Sequence, residues 1–119
     1  MTIQKPESFA IKRSQWFRGK GGGASVLLRR QDGKMCCLGF YGIACGIPVE
    51  RLTGIPSPCR LANEVGIRMP DMVADTGHNS MLAASLIDTN DSEILLEHER
   101  EAKIAAGFKE IGVTVTFED

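Results

Sequence analysis

The sequence predicts an α+β fold: a small, mostly antiparallel sheet made of N-terminal strands plus a C-terminal strand over 113–118, packed with about three to four helices. Three patterns carry this expectation. In VTVTFE (113–118) Val113, Val115 and Phe117 alternate with threonines and a glutamate, as in a half-buried strand. Just upstream, Ile104, Ala105, Phe108 and Ile111 recur at helical spacing. Near the N-terminus, SVLLRR (25–30) runs into QDGK, an Asp-Gly turn of the kind that closes a hairpin.

Taken in order, SFAIKR (8–13) reads as a short strand with Phe9 and Ile11 on one face, and SVLLRR (25–30) as a stronger one. MCCLGFYGIACGIP (35–48) suits either strand or helix, but Gly46 and Pro48 are stop signals that favour a buried helix over about 37–45, entered from a short strand at Met35. Gly39 and Gly42 weaken that helix by about 1 kcal/mol each relative to alanine, which points to close packing. Between residues 48 and 80 the chain is punctuated by Gly54, Pro56, Pro58, Gly66, Pro70 and Gly77. One short helix fits there, with Ser57 as cap, Pro58 in the first helical position and Gly66 as stop. The remainder reads as a long irregular loop, a binding or mobile segment. SMLAASLID (80–88) is helical, capped by Asn79 or Ser80, and TNDS (89–92) breaks it and caps a last helix that runs to about Ile111. In that helix EHERE (97–101) forms a solvated face, and Gly112 takes the left-handed stop position. The whole, residues 1–119, is expected to be a single domain.

With 43% apolar and 24% charged residues the composition is that of a globular protein, and no apolar run approaches the roughly 18 residues of a membrane helix. The start, MTIQKPESFAIKR, lacks the apolar centre of a secretory signal, so the expected location is the cytoplasm, with no membrane partner. Cys36, Cys37, Cys45 and Cys59 form no CxxC pair, and a zinc site would need unusual geometry with His78 or His98. Free, reduced thiols are expected, with no metal and no cofactor. The net charge of −1 conceals an asymmetry: residues 1–34 carry eight Lys/Arg against two acids, whereas 35–119 carry six against thirteen. Either the two parts attract each other within one fold, or the basic part holds an anion.

The stretch WFRGKGGGAS (16–25) is the sharpest local signal. It is no phosphate-binding loop of the Walker type, because Lys20 precedes the glycines and a strand-like run follows them. Consecutive glycines can nevertheless turn several N–H groups toward one anion. Arg18 can grip a phosphate, Lys20 adds charge, and Trp16 or Phe17 can stack on a base. The plainer alternative is a connection between strands, with Trp16 in the core and Arg18 on the surface. The candidate ligand-binding set is Trp16, Arg18, Gly19, Lys20, Gly21, Gly22, Gly23 and Ser25, joined by Asn90 and Asp91, which either orient a ligand or cap a helix. No GxSxG, HExxH or kinase-type set occurs, His98 stands among glutamates and His78 in a loop, and Glu97, Glu99 and Glu101 lack an acid/base partner. The chain is therefore not expected to be an enzyme.

Together, WFRGKG, LLRRQDGKMCCLGFYGIACG, LIDTNDSE and FKEIGVTVTFED resemble a set of small phage-encoded proteins. The matching letters are Trp16, Arg18, Gly19, Cys36, Cys37, Leu38, Gly39, Asn90 and Asp91. The resemblance implies a phage accessory protein, and proteins of that class often inhibit host defence. One kind acts as an oligomeric, non-catalytic sponge for the nucleotide signals of systems such as CBASS and Thoeris. The expected ligand is then a cyclic nucleotide or an ADP-ribose derivative, bound by a homo-oligomer. The alternative is an inhibitor or regulator whose acidic C-terminal surface meets a basic host protein. An isoelectric point near 6.1 argues against nucleic acid as the partner.

Overall fold

A computed structural model of the chain describes residues 2–18 and 26–119. Strand β1 (Ser8–Lys12) is followed by a single 3-10 turn, and the chain then supplies helices α1 (Cys37–Ala44), α2 (Val49–Leu52), α3 (Pro58–Arg60), α4 (Met81–Asp91) and α5 (Glu97–Lys109) before strand β2 (Thr114–Glu118). The fold is α+β, with five helices among the described residues where three to four were expected, because α2 and α3 are single turns.

The sheet corrects the expectation of antiparallel pairing. It has two strands among the described residues, and β1 and β2 run parallel, Ser8 opposite Thr114 through Lys12 opposite Glu118. A parallel pair cannot be closed by a hairpin and needs a long crossover, which here is the whole helical body between the strands. The predicted strand at 25–30 does not join them. Leu27 and Leu28 are both buried, so no polar face alternates with an apolar one. Their pairing is limited to one parallel bridge from Leu28 to Thr53, with Leu27 N–H donating to the Ile55 carbonyl and Gly54 N–H to that of Leu28. The Asp-Gly turn does form: Gly33, at φ 73°, donates to Arg29 O, and Arg29 donates to Lys34 O.

Helix α1 is the centre. Its Tyr41 meets Phe9 of β1 and Phe108 of α5 at ring separations of 5.8 and 5.1 Å, and Phe9 meets Phe108 edge-on at 5.0 Å. Trp16, Leu27, Met35, Leu38, Leu52, Leu61, Met69, Met72 and Ile104 fill the surrounding core. The irregular stretch from 48 to 80 is thus packed rather than a free loop, since it contributes Leu52, Leu61, Ile67, Met69 and Met72 to that core. Ser57 caps the Arg60 N–H, a π-helical turn (Leu61–Val65) follows, and Gly66 at φ 78° ends it. Ser80 caps α4 through the Ala83 N–H, but α4 runs on through Thr89 and Asn90, past the break expected at TNDS. Gly112 closes the last helix at φ 78° as its position predicts. In β2, Val113 just before the strand is buried, while Val115 and Phe117 are only half-buried because β2 has a partner on one side alone. No helix among the described residues is long and apolar enough to cross a membrane.

Part of the charge asymmetry is spent inside the fold, through Lys5, Arg13 and Arg18. Arg13 bridges Glu101 and Asp119, each at 2.8 Å, Lys5 pairs with Asp71 at 3.1 Å, and Arg18 with Glu97 at 2.7 Å. The hydrogen bonds from Arg13 hold the Glu101 carboxyl below its ordinary range.

The four thiols are unpaired. Burial pushes the Cys36 and Cys45 thiols up to about 11 and that of Cys37 well above its ordinary value. Cys59 is half-exposed, 3.3 Å from the Ser57 hydroxyl. A thiol-alkylating reagent at neutral pH should therefore label one site per native molecule, Cys59, and reach the other three about 100-fold more slowly until the chain is unfolded. Mass spectra showing four equally fast additions would contradict this packing.

Candidate functional site

The described ends of the glycine-rich stretch are tied to the residues that lead into α1. Met35 N–H donates to Gln15 O and Phe17 N–H to Met35 O, while Cys36 N–H donates to Val26 O. Residues 35–36 thus hold both stems. Above them sits Asn90, near the end of α4 and 1% exposed. Its side-chain oxygen accepts from the Trp16 indole N–H at 2.8 Å and from the Cys37 N–H at 3.1 Å. Its amide nitrogen donates to Phe17 O at 3.0 Å and to Asp91 Oδ1 at 2.9 Å. Both lone pairs and both N–H groups are used, which is the full capacity of an asparagine side chain. One buried residue therefore clamps the loop stem, the N-terminus of α1 and the C-terminus of α4.

Arg100 completes this hub from below. It is 2% exposed, and its guanidinium donates to the carbonyls of Thr89, Asn90, Ser92 and Leu95, around the end of α4 and the following turn. Reading residues 97–101 as one solvated face is corrected at this position. The signal was present, since Arg100 stands four residues before Ile104 and eight before Phe108, on the buried stripe of α5.

Of the sequence-predicted ligand set, Gly19, Lys20, Gly21, Gly22, Gly23 and Ser25 lie outside the described residues. Trp16 is 3% exposed and packs on Phe117 at 5.4 Å. Trp16 and Asn90 thus hold the stem together rather than face solvent, and Asp91 is half-buried beside them. Arg18 is the residue of the set that reaches the surface: its guanidinium lies 4.1 Å from the Trp16 ring and 2.7 Å from a Glu97 oxygen. That oxygen is within ion-pair distance of Arg18 Nε but outside hydrogen-bond geometry, so among the described residues the buried Nε–H has no aligned acceptor. Arg29, on the far stem, repeats the arrangement. It stacks on Phe17 at 4.5 Å, pairs with Asp32 through its terminal nitrogen at 3.3 Å, and its own Nε–H has no acceptor among the described residues.

Among the described residues there is no ligand-sized cavity and no cluster of three His, Cys, Asp or Glu side chains able to hold a metal ion. No protein-family model, curated protein or solved structure matches the chain.

Proposed function

We propose that the protein binds an anionic nucleotide at the root of its glycine-rich stretch and sequesters it without turning it over, as a phage accessory protein acting on a host defence signal. The observation that carries this reading is the pair of arginines at the two described ends of that stretch. Arg18 and Arg29 are each held against an aromatic ring, and among the described residues the buried Nε–H of each completes no hydrogen bond. A stacked guanidinium loses little further freedom when it meets a phosphate, and charge-assisted bonds to phosphate contribute about 1.5–3 kcal/mol each. Lys20 and the glycines between them supply, by sequence, a further cation and a backbone able to approach closely.

The test is thermal melting of the protein with a panel of cyclic dinucleotides, cyclic trinucleotides and ADP-ribose derivatives. A cognate ligand at 100 times its Kd should add about 2.7 kcal/mol of stability. That shift is expected to vanish in a variant carrying both Arg18→Ala and Arg29→Ala. A panel without any shift, or one that the double variant reproduces, counts against the reading.

A further inference from the structure

The turn between α4 and α5 carries an unusual combination. Ile94 is 90% exposed and Leu96 61% exposed, yet the backbone beneath them is held by several side-chain hydrogen bonds. Ser92 Oγ accepts from the N–H groups of Ile94 and Leu95, Arg100 donates to the carbonyls of Ser92 and Leu95, and Glu99 accepts from the Leu96 N–H. Leu95, between the two exposed residues, is partly buried. Single exposed leucines need no explanation, but two aliphatic side chains held outward on a pinned turn form a preorganised knuckle. Glu93, Glu97 and Glu99, all exposed, surround it, and Asp88 extends the acidic surface along α4.

We propose that this knuckle is a docking site for a partner protein that offers an apolar pit rimmed by lysines and arginines. The choice of occupant follows from charge complementarity. Glu97 and Glu101 of the segment 88–101 are paired with Arg18 and Arg13, which leaves the exposed carboxylates of Asp88, Glu93 and Glu99 to give this surface its negative charge. An acidic or neutral partner would bring like charges, or none, to the rim. Ile94 and Leu96 act as the anchors, and the carboxylates set orientation and encounter rate. Glu97 is shared with the anion site through its ion pair with Arg18, but the anchors Ile94 and Leu96 are not.

A displayed library of random peptides selected against the intact protein tests the proposal. The enriched peptides should combine Lys or Arg with large apolar side chains. Their affinity should fall at least about tenfold on a variant carrying Ile94→Ser and Leu96→Ser, and several-fold on Glu93→Lys. Both sets of changes lie on exposed side chains, and an unchanged circular dichroism spectrum and melting temperature would confirm that folding is intact. Enriched peptides that are acidic, that bind the serine variant as tightly as the native protein, or that fail to appear would overturn the proposal. So would sedimentation showing a native dimer that the serine variant dissolves, since the occupant would then be a second copy of this chain.

Discussion

Replacing Gly39 with alanine should destabilise the protein by about 3 kcal/mol, at the top of the range for overpacking, although alanine is the better helix former by about 1 kcal/mol. Gly39 lies in the first turn of α1, where the helix rests directly on the backbone of Leu27. A β-carbon at this position would overlap the Leu27 carbonyl oxygen and come within 2.9 Å of both the Leu27 carbonyl carbon and Met35 Cβ. None of these is the end of a flexible side chain. Relief would require α1 to move off residue 27, beside Val26 whose carbonyl accepts from the Cys36 N–H, so the cost spreads to the loop stem. Gly42, on the same helix, is the internal control. A β-carbon there meets the Met69 methyl at 3.0 Å and the Leu52 methyls at 3.4 and 3.5 Å, groups that can turn aside. Urea melts of the two variants should therefore differ by about 2 kcal/mol. If Gly39→Ala were as stable as Gly42→Ala, the close contact between α1 and residue 27 would be wrong.

Asn90→Ala should cost about 3–5 kcal/mol, because a buried hub is lost and its partners remain. The Trp16 indole N–H, the Cys37 N–H and the Phe17 carbonyl would each be left in the interior without their hydrogen bond. Trp16 is the one tryptophan in the chain, so its fluorescence should report the change directly, with emission shifting to the red as water reaches the ring. A double-mutant cycle with Trp16→Phe separates the indole contact from the rest. Asn90→Ala should cost measurably less when the indole N–H is already absent. A loss below about 1 kcal/mol from Asn90→Ala alone would mean that the clamp does not bear on stability.

Much of the local structure was legible because its causes are local. Ser57 with Pro58, Ser80, Gly66 and Gly112 mark helix ends by capping chemistry and positive φ, and each does so in the structure. The direction of the sheet was not legible. Ser8–Lys12 and Thr114–Glu118 alternate in the same way whether their partner runs parallel or antiparallel, and the nearby Asp-Gly turn drew attention to a hairpin that pairs only with the loop stem. Leu27 and Leu28 read as a strand because both are aliphatic, yet it is burial on both sides that selects them.

The candidate site divides in the same way. Trp16, Arg18 and Asn90, singled out together in the sequence, do lie together in the structure: Trp16 and Asn90 share a buried hydrogen bond, and Arg18 stacks on the Trp16 ring at the surface. A tryptophan beside glycines and cations looks the same in one dimension whether it stacks on a base or fills a core. Arg100 and the pair Ile94 and Leu96 were missed for complementary reasons. A lone arginine within EHERE passes for a solvated charge, and ILL before a helix passes for core.

The most direct measurement of the central claim is a pair of calorimetric titrations, of the native protein and of Arg18→Ala, with the nucleotide that gives the largest melting shift. The complex is then denatured and the nucleotide weighed by mass spectrometry. The account predicts an affinity lower by about tenfold to a hundredfold in Arg18→Ala, as loss of one charge-assisted phosphate contact implies, and a nucleotide recovered with its mass unchanged. Undiminished affinity in the variant, or recovery of a cleaved nucleotide, would contradict it.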